Sequence, residues 1–534
     1  MGITVSLNWL QQKFSLLRKP SVLYLLFLVG WYAFFLFHQI DISGGDLGRH
    51  LQNGRIIVEA VRQGESLEPI LRTNFYAATL SDAPFINHHW GSGVIFFLVW
   101  QLAGYTGLIF FSACTLVAAL LLFWAVIPVD KRGFGALIAG FLIVPLLAER
   151  NEIRPEIFSY LFVGIFYYIL ERYRRGNLKN AFLLLLPIIQ VLWVNLHIYF
   201  FLGPCLVGLY FLRSVFSSLR QHQERLSLGL LLVFVVLVGL ANPAGGAGLF
   251  YPLAILEGYG FEIQENLPLP AVAARYPWHG PIVIFKSISI LLVVGSVLLF
   301  VKKRTLVPWL QVILFVVFFV LTWRMVRNIA LFGFFSIPFA GLLIVECSRL
   351  FPSLNNVRSR NWFLSIGIVL LSTFFINRAE IIRSYRALGI TVAHDSAGAG
   401  EFIRQQSIAG PLFNDFDSGS YLIWYVFPRI RPFVDNRPEA YRAAFYNEVY
   451  APLHQNEEVW KEVNEMYGFN ALVYSFSNKS PWTFPFIIRR LQDPAWAPVF
   501  ANRYTIVFLK RNPQNEKIIK LFEIPLSSFS VVGS

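Results

Sequence analysis

The sequence has few charged residues and very few cysteines. Of its 534 residues only 14% are Asp, Glu, Lys or Arg, and only three are cysteine. The low charge excludes an ordinary soluble protein, in which about 25% of residues are charged, and also a disordered chain. Three cysteines are too few for a disulfide scaffold. Hydrophobic residues make up 56% of the chain instead, which predicts a polytopic membrane protein.

Eleven apolar runs are predicted to cross the membrane, although some are shorter than the ~20 residues of a straight span. The first, 21–40, follows a basic region and lacks a small-residue cleavage site, so it is predicted to be an uncleaved helix. The others lie at 105–127, 134–148, 156–170, 180–196, 199–215, 226–241, 281–301, 305–321, 328–346 and 361–376. The run 90–103 is too short to span and is predicted to lie in the outer interface, within a long outer loop, 41–104.

The positions of the basic residues predict how the chain is oriented across the membrane. With the N-terminus inside, the cytoplasmic gaps hold 18 Lys and Arg residues against four acids, which equals the whole net charge of +14. In a soluble protein such an excess would indicate a nucleic-acid partner, but here it matches the positive-inside rule, and no nucleic acid is predicted. The protein is therefore predicted to lie in the cell (inner) membrane with a cytoplasmic N-terminus and an extracytoplasmic C-terminus.

The chain changes character after residue 377, where charges recur every few residues and turn signals are frequent. Residues 1–377 are predicted to form the transmembrane module and 378–534 a small extracytoplasmic α/β domain. Strand-like runs occur at 411–413, 432–434, 471–476 and 504–509, and helical stretches at 439–450 and 457–467. The predicted fold class is therefore mainly α with a small C-terminal α/β domain.

The first outer loop contains the strongest catalytic candidate. An amphipathic helix is predicted from about 46 to 63, with Asp46 at its start and His50 one turn later on the same face. An Asp before a helix is often only an N-cap. Asp46, however, also follows a membrane span and two glycines that would let a substrate approach. Asp46 is therefore predicted to be catalytic together with His50, and Asp41 is the second choice.

Other polar residues are predicted to reach the same outer side. Adjacent histidines point in different directions, so His88 and His89 are predicted to hydrogen-bond a sugar or phosphate rather than to bind a metal. The planar guanidinium group of arginine can donate two hydrogen bonds to phosphate oxygens, so the arginines on this side are predicted to bind phosphate. Asn195 and His197 would face a cavity or else pack helices. The candidate substrate-binding residues are His88, His89, Arg150, Arg154, Glu156, Asn195, His197, Arg324 and Arg327. Convergent polar groups over an apolar groove suit a substrate with a charged head and a lipid tail.

Several short motifs resemble those of GT-C membrane glycosyltransferases, within these the bacterial branch with protein-mannosyltransferase-like cores. They are Asp46-xxx-His50-xxx-Gly54, His88-x-Trp90, Trp193-x-Asn195-x-His197, Asn242-Pro243, Arg324-xx-Arg327-Asn328 and, in the tail, Asn414-Asp415, Ser418–Leu422 and Val434–Arg437. The resemblance covers nearly the whole chain. It implies about 11 spans and a small extracytoplasmic domain.

The resemblance also implies an activity. A hexosyl or pentosyl group would move, with inversion, from a polyprenyl-phosphate donor to a glycan, lipid or protein acceptor outside the cytoplasm. Asp46 would be the base, and second-loop acids would map onto Glu152 or Glu156. The paired second-loop Asp of metal-dependent oligosaccharyltransferases is missing, so no cofactor is predicted and a divalent metal is not favoured.

A non-enzymatic membrane protein is the alternative, either a transporter or an assembly subunit for lipid-linked envelope glycans. A transporter is expected to carry ionisable or helix-breaking residues near the bilayer midplane in two matching halves. Here the polar residues cluster at one interface and no two-half repeat occurs. The enzyme is therefore the favoured interpretation.

Overall fold

The structure is a computed structural model that describes residues 20–216, 222–254, 263–350, 371–476 and 480–529. Up to residue 350 it is helical. The helices are α1 (Pro20–Leu36), α2 (Leu47–Gln63), α3 (Glu68–Arg72), α4 (Trp90–Val126), α5 (Phe134–Ala148), α6 (Glu156–Arg174), α7 (Leu185–Leu196), α8 (Leu202–Val215), α9 (His222–Leu237), α10 (Gly245–Ala254), α11 (Leu269–Arg275), α12 (Gly280–Lys303), α13 (Trp309–Arg324) and α14 (Ile329–Leu350). Short 3₁₀ turns at Ile198–Phe201, Gln264–Asn266 and Val326–Asn328 interrupt this succession.

Helices occupy the predicted spans as far as 328–346. In the described residues, five helical segments are long and apolar enough to cross a membrane, as judged by length and composition. They are Trp90–Val126, Ile198–Val215, His222–Leu240, Gly280–Leu306 and Val326–Leu350. Shorter apolar helices account for other predicted spans. Most of the span 361–376 lies outside the described residues, so the number eleven stays a prediction.

Helix α4 bends at the place where the sequence analysis divided it. Ala103 and Gly104 have non-helical backbone angles, and Gly104 has φ of +62°. A side chain at that φ would be strained, whereas glycine adopts it readily. The bend separates the predicted interfacial segment from the predicted span 105–127, because residues on either side need no longer share one axis.

The tail is built on a four-stranded mixed sheet, with shorter helices around it. The strands are β1 (Leu412–Asn414), β2 (Ala471–Ser475), β3 (Trp496–Ala501) and β4 (Thr505–Lys510), in the order β1-β2-β4-β3. Only β1 and β2 are parallel. The helices are α15 (Arg378–Ala387), α16 (Gly398–Gln405), α17 (Gly419–Val426), α18 (Ala451–Gln455), α19 (Glu457–Tyr467), α20 (Thr483–Gln492) and α21 (Glu516–Phe522).

Alternate strand residues enter two different cores. Val473 and Val507 pack into the large core that continues into the membrane helices, whereas Leu472 and Phe508 pack into an aromatic core. That second core also includes Ala77 of the first outer loop. Because successive side chains along a strand point to opposite faces of the sheet, these contacts show that both faces are buried.

Two details of the predicted tail are wrong. Residues 432–434 form no strand: the carbonyl groups of Phe433 and Val434 accept hydrogen bonds from the side chains of Thr79 and Asn414, and that of Pro432 accepts one from the Ala78 amide. The predicted helix 439–450 is replaced by a 3₁₀ turn followed by a π-helical turn, Phe445–Tyr450. Strand β3 is not predicted from the sequence, whereas α19 coincides with the helical stretch predicted at 457–467.

Helix α2 joins the first outer loop to both parts of the molecule. A Cβ on Gly54 would lie 2.0 Å from the carbonyl oxygen of Gly93 in α4, and one on Gly48 would lie 2.6 Å from that of Ser420 in α17. Only glycine allows these approaches. The Arg49 amide also donates a hydrogen bond to Ser420 Oγ at 3.0 Å. The beginning of α2 is thereby wedged between the membrane helices and the tail.

Candidate active site

A cavity of about 1770 Å³ lies where the first outer loop, the ends of the membrane helices and the tail meet. Seven predicted site residues line it: Asp41, Asp46, His88, His89, Arg154, His197 and Arg327. Residues that the sequence analysis did not single out also line it, among them Glu265, Asp417, Asn436, Glu439 and Trp482. His50, Arg150, Glu156, Asn195 and Arg324 are not part of the lining. One cavity thus gathers just over half of the predicted site.

Asp46 lies at the N-cap position of α2, but its side chain makes no capping hydrogen bond. Its Oδ1 accepts a hydrogen bond of 2.6 Å from Asn436 Nδ2 and lies 3.5 Å from an Arg49 nitrogen. Its Oδ2 lies 3.9 Å from Arg154 Nη1. Side chains from α2, from the turn before α6 and from the tail therefore hold this carboxylate at the cavity wall.

The two other predicted catalytic residues have different surroundings. Asp41 lines the cavity, and its Oδ1 accepts hydrogen bonds from the Ser43 amide at 3.0 Å and the Ser43 hydroxyl at 2.6 Å. His50 is buried and packs against His89, with ring centroids 5.6 Å apart. The His50 amide donates a hydrogen bond of 3.1 Å to the Asp46 carbonyl oxygen, but both ring nitrogens of His50 are buried without a hydrogen-bond partner. A role of His50 at the carboxylate therefore has no support from the geometry.

Four histidines form a cluster beside the cavity. The ring of His89 lies 3.9 Å from that of His88 and 5.2 Å from that of His197, and it is also in contact with His50. Burial, together with the charge of nearby Arg49, lowers the pKa of His88 to about 4 and that of His89 well below the ordinary value. The cluster is uncharged at neutral pH.

Several ring nitrogens of this cluster have fixed roles. His88 Nδ1 lies 3.1 Å from the Ile86 carbonyl oxygen, so it carries the proton and donates. His197 Nδ1 accepts a hydrogen bond from the Tyr199 amide and is 2.7 Å from Ser159 Oγ. His89 Nε2 is buried and has no hydrogen-bond partner. A buried polar atom without a partner at a cavity wall is costly unless a ligand supplies one.

Arg150 and Arg154, which are predicted to bind phosphate in the second outer gap, form ion pairs with acidic residues of the protein itself. Arg150 forms a bidentate pair with Glu156 at 2.7 and 2.9 Å, and its Nη1 contacts Glu265 at 2.6 Å. Arg154 pairs with Glu152 at 2.6 Å and with Glu265 at 2.8 Å. Of these two arginines only Arg154 reaches the cavity, and Glu156 is a buried partner of Arg150.

Arg324, the last residue of α13, and Arg327 have different surroundings. The helix ends at Arg324, Met325 is extended, and a 3₁₀ turn follows. This break turns Arg327 into the cavity, whereas the Arg324 side chain is exposed and does not line it. The expected spacing of one helical turn does not occur, because the helix ends at Arg324, whereas phosphate binding by the two arginines stays a prediction. Arg327 Nη1 contacts Asn266 Oδ1 at 3.1 Å, and its Nε is buried without a partner.

Asn195 packs helices. Its Oδ1 accepts a hydrogen bond from the Trp90 indole at 3.0 Å, and its Nδ2 donates to the carbonyls of Val191 and Ala241. A Cβ on Gly91 would lie 2.8 Å from the Asn195 carbonyl oxygen, so the chains are in close contact here. Of the two roles considered from the sequence, helix packing is the one that the contacts favour.

A histidine bridge closes one rim of the cavity. His279 Nε2 lies 2.9 Å from Glu149 and Nδ1 lies 3.0 Å from Glu380, and both carboxylates line the cavity. Burial alone would lower the pKa of His279, but the two hydrogen-bonded carboxylates raise it to about 9. The imidazolium therefore ties the second outer gap to α15 of the tail at neutral pH.

The tail contributes to the site through a buried ion pair. Arg437 donates to both carboxylate oxygens of Asp435 at 2.7 Å and to Asn74 Oδ1 at 2.6 Å. Asn436 lies between the paired residues and points its amide at Asp46. The motif Val434–Arg437 carries part of the family resemblance, but no local feature of the sequence distinguishes Asn436 as a site residue.

Comparison with known proteins gives similarity in structure only. No protein family and no curated protein sequence matches the chain. The apo crystal structure of the Archaeoglobus fulgidus oligosaccharyltransferase matches with a TM-score of 0.57 and 14% identity, over 86% of this chain and 70% of that chain. The oligosaccharyltransferase AglB from Archaeoglobus fulgidus, in complex with an inhibitory peptide and a dolichol-phosphate, matches with a TM-score of 0.56 and 13% identity, over 92% of this chain and 74% of that chain.

A third structure, of the Archaeoglobus fulgidus oligosaccharyltransferase tethered with an acceptor peptide, matches with a TM-score of 0.56 and 12% identity, over 93% of this chain and 75% of that chain. The TM-scores show a common fold, whereas identities this low leave the substrate and the mechanism open. The chain therefore shares the fold of the Archaeoglobus fulgidus oligosaccharyltransferase.

Proposed function

We propose that this protein is an enzyme that transfers a sugar from a polyprenyl-phosphate donor to a glycan, lipid or protein acceptor at the outer face of the membrane. The observation that carries the proposal is the position of Asp46. Asp46 occupies the N-cap position of α2, but its side chain makes no capping hydrogen bond. Its carboxylate lies at the wall of a large cavity instead. The fold supports the same class of reaction, since the similar archaeal enzyme was solved with a dolichol-phosphate and with an acceptor peptide.

Asp46 acts as the general base in the proposed reaction. An acceptor hydroxyl oxygen attacks the anomeric carbon of the donor sugar and loses its proton to Asp46. The bond from the anomeric carbon to the phosphate oxygen breaks on the opposite face, so the configuration inverts and polyprenyl phosphate leaves with the bonding electrons. Asn436 orients the carboxylate by its 2.6 Å hydrogen bond to Oδ1, which leaves Oδ2 as the more open oxygen.

A second part of the cavity lining suits the leaving group. Arg327 lines the cavity and supplies a cation for the phosphate. Val236, Phe250, Leu253 and Leu321 give the cavity an apolar wall on which a prenyl chain can lie. A phosphate near Arg327 and a lipid tail along these residues would match the polar and apolar parts of one substrate.

The histidine cluster suits the sugar. Uncharged imidazoles offer one donor and one acceptor each and carry no charge to attract phosphate. His88, His89 and His197 line the cavity, and the unpartnered His89 Nε2 can hydrogen-bond a sugar hydroxyl. We assign these three residues to the sugar moiety of the donor or of the acceptor.

We assign no step to a metal ion. In the part of the chain that the structure describes, no group of three or more His, Cys, Asp or Glu side chains is arranged to hold one. The Asp46 carboxylate contacts an amide N–H and two arginine side chains, which balance its negative charge without a metal ion. Two further acidic residues, Asp417 and Glu439, line the same cavity.

The tail and the first outer loop are proposed to lie on one side of the membrane, outside the cytoplasm. Asn436 contacts Asp46, and Arg437 contacts Asn74, so the tail and the loop share an interface. Cysteine labelling at Ser66 and Ser527, both exposed, tests this in a background without the three native cysteines. Equal labelling by a membrane-impermeant maleimide on intact cells is expected, and labelling of only one of the two would contradict the shared side.

The activity itself is tested with reconstituted protein and a panel of labelled undecaprenyl-phosphate sugars. Transfer to an acceptor with release of undecaprenyl phosphate is the expected result. Binding of lipid phosphate without any turnover over the panel would instead support a transporter or assembly subunit. Failure to bind any lipid phosphate would refute the proposal.

A further inference from the structure

Glu265 lies at the point where three arginines converge. Its Oε2 accepts hydrogen bonds from Arg150 Nη1 at 2.6 Å and Arg154 Nη1 at 2.8 Å, and its Oε1 lies 3.8 Å from Arg327 Nη1. Burial alone would raise the pKa of this carboxyl, but the three guanidinium groups hold it well below the ordinary value. One carboxylate thus occupies a site with three positive groups around it.

Two of these arginines do not need Glu265 to hold their positions. Glu156 pairs with Arg150 in a bidentate geometry, and Glu152 pairs with Arg154 at 2.6 Å. Each guanidinium therefore keeps an anionic partner if Glu265 moves away. Their Nη1 groups would then point at an unoccupied position in the cavity, together with that of Arg327. Such a convergent set of N–H donors is the arrangement that binds phosphate oxygens.

Glu265 is placed so that it can leave. It belongs to a one-turn 3₁₀ segment, Gln264–Asn266, and not to a long helix. Its side chain is 26% exposed and lines the cavity, whereas the Glu156 side chain is 3% exposed. Rotation about its side-chain bonds moves the carboxylate towards the cavity without moving the backbone, because Glu side chains have several staggered rotamers.

We infer that Glu265 occupies the subsite of the donor phosphate while the donor is absent, and that the phosphate of a polyprenyl-phosphate sugar displaces it. The inference rests on the proposed function and deepens it: Arg150 and Arg154 join Arg327 as phosphate ligands once Glu265 has moved. The negative charge of the phosphate replaces that of Glu265, so the site keeps its charge balance.

Glu265→Gln tests the displacement by removing the competing charge while keeping the shape of the side chain. We measure binding of undecaprenyl phosphate in nanodiscs and of inorganic phosphate to the full-length protein. Because a charge-assisted contact is worth about twice a neutral one, Glu265→Gln is expected to bind undecaprenyl phosphate roughly tenfold more tightly. Glu152→Gln is the matched control: it removes a charge from the same Arg154, but through a side chain that is 60% exposed. Screening by solvent should hold its effect to about twofold.

Each outcome decides the question. Unchanged or weaker binding of undecaprenyl phosphate by Glu265→Gln would overturn the inference, because Glu265 would then be needed to organise the arginines. Tighter binding of inorganic phosphate alone would show a site for a free anion and would also overturn it. If no protein, wild type included, binds undecaprenyl phosphate, the proposed function itself fails. If Glu265→Gln does not fold, Glu265→Asp is used in its place. Its shorter side chain brings the carboxylate less close to the arginines and competes less well, so an intermediate gain in undecaprenyl phosphate binding is expected.

Discussion

Replacement of Asp46 by Asn is expected to abolish most turnover while leaving the fold intact. The change removes the basic oxygen but keeps the size of the side chain. The hydrogen bond from Asn436 Nδ2 to Oδ1 can form with an amide oxygen as well, so the position of the side chain is retained. No capping bond is lost, because the Asp46 side chain makes none.

The structure sets the expected size of the effect on stability and of the effect on turnover. The contacts from Asp46 to Arg49 and Arg154 are 3.5 and 3.9 Å long, and the Asp46 side chain is 23% exposed. Such pairs contribute at most about 1 kcal/mol, so the free energy of unfolding should change by less than that. A positioned general base contributes roughly 10²–10⁴ in rate. Turnover is therefore expected to fall by at least roughly 100-fold.

The assay compares initial rates of sugar transfer in proteoliposomes, with thermal unfolding recorded on the same preparations. Asp41→Asn is the matched control, since Asp41 lines the same cavity but is occupied by hydrogen bonds from Ser43. It is expected to lower the rate much less than Asp46→Asn does. Normal turnover by Asp46→Asn would refute the assignment of the base, and a large loss with Asp41→Asn alone would transfer the role to Asp41.

Three further predictions concern positions around the cavity. Arg327→Ala is expected to weaken undecaprenyl phosphate binding about tenfold, because a hydrogen bond to a charged group is worth about 1.5–3 kcal/mol, whereas Arg324→Ala should leave binding unchanged because Arg324 is exposed; unchanged binding by Arg327→Ala would assign Arg327 to anchoring, and equal losses would assign the phosphate to both. His279→Asn should lower the melting temperature below pH 6.5 and lose this effect as the pH rises through about 9, because the raised pKa makes the charged form stabilising; a pH-independent difference would contradict this. Asp435→Ala should cost about 3–5 kcal/mol of unfolding free energy in denaturation, since it leaves Arg437 buried without its carboxylate, and a loss below about 1 kcal/mol would exclude that role.

Local properties of the sequence determined the membrane class and the positions of most helices. Apolar runs and the basic gaps between them are local properties, so hydropathy alone located the helices of the predicted spans up to 328–346, but not α3, α10 or α11. The start of α2 at residue 47 also followed from its amphipathic pattern. The strands were less predictable: a strand depends on its neighbours, so 432–434 was taken for one and Trp496–Ala501 was missed.

Only the tertiary structure decided which polar residues share the cavity. Asn436 reaches Asp46 across 390 positions of the chain, and Glu265 meets Arg150 across 115. No periodicity within one segment encodes such contacts, because they arise from how separate helices and the tail pack. The break after Arg324 is equally decisive, since one extended residue turns Arg327 inward and leaves Arg324 exposed. The sequence contains the chemical groups, but the packing of distant segments determines which of them can meet one substrate.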